Sequence, residues 1–310
     1  MSEGSVRVPE VDVTDPGMNI DCEIVERSGI SYFRQRVDAK QVVQSVDTGL
    51  NEPVHGHHNM PHVVDYRTAI GLLKVPGHVP FRSAGRREGL STATAGDDLW
   101  NGTATSLVYA DQVNGEQMTL VSTSANDTSA GSGAQQVDVH YLDKNGVETY
   151  ERVTMNGVTP VNTTATDIRF PQYIHVQRVG ALGTVAAGAI SLYRTGDAAR
   201  VYLVIPAGTN VSLNAQRMVP AGKTLYINFI MASATSQKPI SLRLRATCDY
   251  EGVLTENVFI FNEIFELDGS AVFMNLEVPR TFPAFCIIKA TAYSTTAGGS
   301  AAMSYGGWLE

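Results

Sequence analysis

This chain is short of charge. Only 17% of its 310 residues are Asp, Glu, Lys or Arg, against about 25% in an average globular chain. The 23 Lys and Arg are outnumbered by 31 Asp and Glu, for a net charge of -8 and a pI near 5.4. Sequence-independent nucleic-acid binding needs a basic face, so nucleic acid is excluded as a partner. Cysteine is scarce as well. Cys22, Cys248 and Cys286 are too few and too scattered for a disulfide framework or a zinc knuckle. Cys248 and Cys286 lie in apolar runs, where a free thiol acts as a small core hydrophobe, and that reading is preferred to a disulfide between them. No stretch approaches the ~18 unbroken apolar residues of a membrane span, which removes the membrane as a partner. The segment from Met1 to Pro16 is acidic where a secretory signal would be basic and then apolar, so a chain made in the cytoplasm is expected.

Apolar residues, by contrast, make up 43% of the chain, enough for sizeable cores, and exclude wholesale disorder. The length suits two domains and an additional N-terminal segment. Residues 1 to about 20 are polar and without period, like an arm that orders when something holds it. Val63, Tyr66, Ile70 and Leu73 fall at helical spacing, with Pro76, Gly77 and Pro80 to end the helix. After Gly89 the chain becomes a succession of short β-patterned runs with turn residues between them. Val137, Val139 and Tyr141 alternate with Asp138, His140 and Leu142. Asn145-Gly146 and Asn156-Gly157 are the strongest short hairpin signals and predict a meander through type I′ turns. Leu242, Leu244, Ala246 and Cys248 line one face of a strand, with Ser241, Arg243, Arg245 and Thr247 on the other. The expected fold is all-β: two antiparallel β-sandwich or jelly-roll-like domains, 86–205 and 206–310, after a mixed, partly extended N-terminal segment, 1–85. The run from Val258 to Leu267 is apolar on both sides, with Phe259, Phe261 and Phe265 against Ile260 and Ile264. Such a strand needs cover on both faces, and a second subunit is the expected cover.

Chemistry-bearing motifs are few. His55, His57, His58 and His62 are dense enough to gather a first-row metal, yet Gly56 and Pro61 make the segment a loop, and a polar contact loop is preferred. No nucleophile elbow, phosphate loop or Rossmann turn appears. Asp97-Asp98 would point opposite ways on an extended chain, and a helix or turn N-cap before Leu99-Trp100 is preferred. Nothing makes Asp111, Asp143, Glu148 or Glu151 converge. No catalytic residue and no cofactor are therefore assigned, and the chain is expected not to be an enzyme. Arg82, Arg86 and Arg87 could meet an acidic partner, since guanidinium forks suit carboxylates and phosphates. The triplets headed by Asn101, Asn126, Asn162 and Asn210 are by-products of Thr richness.

The stretch from Gly85 to Gly102, GRREGLSTATAGDDLWNG, resembles a signature of a family of tailed-bacteriophage virion structural proteins. In it a Gly-Arg pair is followed by a Thr-rich spacer and then by Asp98-Leu99-Trp100-Asn101-Gly102. The long segment from Leu120 to Val161, the turn VPAGKTLYI from Val219 and the Ser- and Gly-rich closing strand are similar too, so the resemblance spans roughly residues 81 to 310. Where the family often has a polar-Pro pair after Gly-Arg, this chain has Arg87-Glu88. The resemblance implies a non-enzymatic head decoration, fibre or tail-associated protein located in the virion. It would be a homo-oligomer, taken as a trimer, docked on phage capsid or tail proteins through its N-terminal segment. Arg82, Arg86, Arg87, Trp100, Phe259, Phe261 and Phe265 are the expected interface residues. The alternative is a phage adhesin that binds host surface glycan, with Tyr141, Tyr150 and Trp308 stacking on sugars.

Overall fold

The computed structural model describes residues 66–104, 106–111, 113–235, 238–248 and 261–310, with the strands 21–27 and 30–36 and residues 261–262 by backbone alone. The chain divides into two units, Met1–Pro76 and Gly77–Glu310. In the first, β1 (Asp21–Arg27) and β2 (Ile30–Arg36) pair antiparallel. The expected helix is α1 (Tyr66–Gly71), which is shorter than the apolar spacing suggests. It closes before the prolines: Leu73, at φ 56, donates to Ile70 O, and Lys74 donates to Ala69 O, both at 2.9 Å. This paired closure around a left-handed residue satisfies the last carbonyls. His55, His57, His58 and His62 lie outside the described residues, as does Phe259.

The second unit is all antiparallel sheet, as expected. Residues 79–98 supply β3 (Val79–Leu90) and β4 (Asp97–Asp98). The next hundred residues supply β5 (Met118–Ser122), β6 (Ala134–Asp143), β7 (Glu148–Thr154), β8 (Val161–Asn162), β9 (Ile168–Val179), β10 (Ile190–Arg194) and β11 (Asp197–Ile205). The remainder supplies β12 (Gln216–Met218), β13 (Leu225–Ala234), β14 (Ile240–Thr247), β15 (Phe261–Leu267), β16 (Ala271–Phe282), β17 (Ile287–Ser294) and β18 (Gly299–Leu309). Sheets β11-β10-β5-β8 and β7-β6-β9 enclose one core, with Leu120, Val137, Val139, Ile174, Ile190 and Leu203 inside it. Sheets β16-β13-β18-β3 and β12-β17-β14-β15 enclose the other, built on Leu225, Ile227, Leu242, Leu244, Ile288 and Tyr305. β3 belongs to this second sandwich through β18, and Leu90 and Leu99 lie in its core. The first sandwich is therefore inserted between β4 and β12. A small cluster of Tyr109, Leu142, Phe170, Met218 and Ile287 joins the two.

Alternation sets these cores. On β14 the inward Leu242, Leu244 and Ala246 face Ala292, Ala290 and Ile288 of β17, so large side chains oppose small ones across the layer. The other face is not fully wet: Arg243 lies over the Tyr293 ring at 4.8 Å and donates to Thr94 O at 2.9 Å.

Three expectations are corrected. The β6–β7 hairpin forms, but only Gly146 (φ 78) is left-handed, whereas a type I′ turn needs two such residues. The Asp143 carboxylate fixes the turn by accepting the Asn145 and Val147 N–H groups at 2.8 and 2.9 Å. At Asn156-Gly157 the meander ends. Gly157 donates to Asp127 O at 2.7 Å and accepts from the Ser122 N–H at 3.0 Å, which carries the chain to the opposite sheet. There β8 pairs with β5, and β9 returns to the free side of β6. Finally, Cys248 and Cys286 are joined by a disulfide across 38 residues. Thr247 and Ile287 are register partners at the end of β14 and the start of β17, so pairing brings the two thiols together although the sequence separates them.

Candidate functional site

Residues 85–102 form a tightly packed corner around Gly85 and Trp100. β3 passes so close to Leu99 and Ala215 that any side chain at Gly85 would overlap their backbone, and the Trp100 indole lies directly on Gly102. Trp100 is 2% exposed, and its Nε1 donates to Ala104 O at 2.9 Å. Arg87 donates to Ala104 O at 2.6 Å and Thr103 O at 3.1 Å, with its Nε 3.5 Å from the Asp97 carboxylate. Trp100 and Arg87 thus hold the loop that leaves the strand. Asp97-Asp98 is no helix cap. It is a two-residue strand on β17, whose side chains diverge as extended backbone requires. Asp97 accepts from Ser91 N and Oγ, both at 2.8 Å. Asp98 accepts the Leu107 N–H at 2.7 Å and pairs with buried Lys289 at 3.0 Å.

Two outer sheet faces carry unusual groups. The first belongs to β16-β13-β18-β3. Its inner residues are in the core, and period-2 alternation turns Phe273, Met231, Ser304 and Ala84 outward in one cross-strand row. Phe273 is 64% exposed, and its ring lies 6.5 Å from that of Phe229. A shallow groove of about 410 Å³, bordered also by Leu213 and Ala302, runs along this row. Its β3 border carries Arg82, which donates to Ser304 Oγ at 3.1 Å, and Arg86, paired with Glu88 at 2.5 Å. Both arginines are exposed, as is Glu277 on the β16 side. Of the other expected interface residues, Phe265 is buried in the core. Ile264, on the reverse face of edge strand β15, is exposed. Phe261 opens β15, and its side chain lies outside the described residues.

The second face belongs to β7-β6-β9 and carries a cluster that the sequence reading missed. Asp138 and His140 project from β6 on its outer side, register setting Asp138 against Arg152 of β7 and His175 of β9, and His140 against Tyr150 and Tyr173. Arg152 grips Asp138 with two hydrogen bonds, at 2.7 and 2.9 Å. Those bonds hold the Asp138 carboxyl below its ordinary range. His140 stacks on Tyr173 at 4.2 Å, with His175 at 5.2 Å and Tyr150 at 5.4 Å. Burial, and then the His175 and Arg217 charges, push His140 toward its neutral form. The spacing of Asp138 and His140 was visible in the sequence, but His175 reaches them only through strand pairing. For the glycan reading, Tyr141 and Trp308 are both buried, which removes them as sugar platforms. Tyr150 is 57% exposed.

No family model and no curated protein matches the chain. Three solved structures show a distant likeness. One of infectious bursal disease virus, Gt strain, is 11% identical over 76% of this chain and 73% of that one, with a TM-score of 0.20. One of the Gx strain is 14% identical over 75% and 77%, with a TM-score of 0.19. The VP2 subviral particle of the same virus is 11% identical over 75% and 71%, with a TM-score of 0.20. Scores of this size define no common fold.

Proposed function

We infer that the chain is a structural subunit of a virus particle that assembles with copies of itself. The observation that carries this reading is the largely apolar outer row of Phe273, Met231, Ser304 and Ala84, bordered by Arg82 and Arg86 on one side and Glu277 on the other. Exposed apolar patches with polar rims mark interaction sites. The contact is taken as head-to-tail, with Arg82 of one copy meeting Glu277 of the next. The smallest ring that such a heterologous contact closes is a trimer. The fuller form of the proposal is a tailed-phage head or tail component, supported by the resemblance of residues 81–310, docking through the N-terminal segment that precedes β3.

Light scattering of the full chain at micromolar concentration tests assembly. The wild type is expected to run as a trimer, and Phe273→Asp as a monomer with an unchanged far-ultraviolet spectrum. A monomeric wild type would overturn self-assembly. Absence of the chain from purified particles, by mass spectrometry, would overturn the virion role. Exposed Tyr150 beside the His140 ring supports a second reading, host-glycan binding, for which a glycan array should lose its signal in Tyr150→Ala.

A further inference from the structure

We propose that Asp138, His140 and His175 form a binding site for a divalent first-row metal ion of the Zn²⁺ class on the outer face of the β7-β6-β9 sheet. The inference is independent of the assembly reading. Two ligands two residues apart on β6 share a face, and the third stands opposite the first on β9. One donor atom from each of the three lies within 4.8 Å of the other two. Bonds of about 2.0–2.2 Å to a tetrahedral ion place ligand atoms about 3.4 Å apart, so the three side chains need to close by up to about 1.4 Å. That is within the reach of small χ rotations on fixed strands.

The donor set and its surroundings suit the ion. Two imidazoles and a carboxylate are a common combination for zinc and its neighbours, and three protein ligands leave a position for water. His140 Nε2 is buried and has no hydrogen-bond partner among the protein atoms; a buried polar atom in that state is met by a water or an ion. Tyr173 and Tyr150 flank the His140 ring and keep it over the outer face of β6. His175 Nε2 stands 3.9 Å from the Asp138 carboxylate and 3.4 Å from Gln177 Oε1. Arg152 is the competitor, since its guanidinium occupies the Asp138 carboxylate. It stands on edge strand β7 with 43% of its side chain exposed, so it can withdraw to water when an ion replaces its charge.

The full chain, stripped with a chelator, is titrated with Zn²⁺ by calorimetry and with Co²⁺ by visible absorption. One tight equivalent per chain is expected, with the intense Co²⁺ bands of four-coordinate geometry. His140→Ala and His175→Gln should each weaken that event about a hundredfold, His175→Gln being the milder change should His140→Ala fail to fold. Arg152→Ala should tighten it, because the cation that competes for the Asp138 carboxylate is gone. Replacing His55, His57, His58 and His62 together by Ala should leave it intact. The proposal is overturned if the wild type binds no Zn²⁺ at ~100 μM. It is overturned equally if the tight event survives His140→Ala and His175→Gln, or is lost with the four N-terminal histidines.

Discussion

The two sandwiches bury a carboxylate in different ways. In the inserted sandwich, Asp127 is 0% exposed and is held by four neutral donors. Ala134 N and Ala187 N donate to Oδ1 at 2.7 and 2.8 Å, and Ser122 Oγ and Gly188 N donate to Oδ2 at 2.6 and 2.8 Å. In the flanking sandwich, Asp98 takes one backbone N–H and the ammonium of Lys289. The first solution pins three chain segments to one side chain. The second ties two strands through an ion pair, whose desolvation offsets much of its attraction. Hydrogen bonds thus specify the geometry of the inserted sandwich, where loops are long, and charge neutralisation suffices where β4 and β17 are already paired.

Asp127→Ala should cost the most, on the order of 4 kcal/mol, because the buried Ala134 and Gly188 amides, the Ser122 hydroxyl and the half-buried Ala187 amide all lose their acceptor. Urea unfolding checks it, and a loss below about 1 kcal/mol would show that water replaces the carboxylate. Lys289→Met should cost about 3 kcal/mol by leaving the Asp98 charge uncompensated. Adding Asp98→Asn, which keeps an acceptor for the Leu107 N–H, should restore most of that loss in the same assay. No such rescue is available to Asp127, where Asn would turn an amide N–H₂ toward a donor.

The smallest effect concerns Glu116, also in the inserted sandwich. Burial raises its carboxyl above the ordinary 4.5, although Arg194 and Arg200 oppose the shift. The folded state therefore binds this proton more tightly than the unfolded chain. Its contribution is complete below the ordinary value and is lost as pH rises through the folded one. Thermal melts of Glu116→Gln and wild type, compared from pH 4.5 upward, should show the variant gaining relative to wild type. A constant difference across that range would show that Arg194, 3.0 Å away, compensates the burial.

Local patterns were readable wherever one side chain's neighbours are two residues away. The inward faces of β6 and β14, the all-antiparallel class and the turn at Gly146 follow from alternation and glycine placement. The sequence reading failed where geometry depends on register between distant segments. Nothing near Asp127 announces donors from Ala187 and Gly188, some sixty residues on. The Cys248–Cys286 bond and the His175 partnership with Asp138 depend on strand pairing in the same way. Arg87 and Trp100 look like surface anchors by type, and only the return of residues 213–215 past β3 shows them as internal braces.

The position of β18 imposes an order on biosynthesis. This strand lies between β13 and β3, so the flanking sandwich lacks an interior ribbon until residues 299–309 leave the ribosome. The inserted sandwich has all its strands by residue 205 and can condense while the rest is still being translated. During that interval β3 waits without its mate, and a growing chain would present Ala84 and the groove-lining strands to any neighbour on the same messenger.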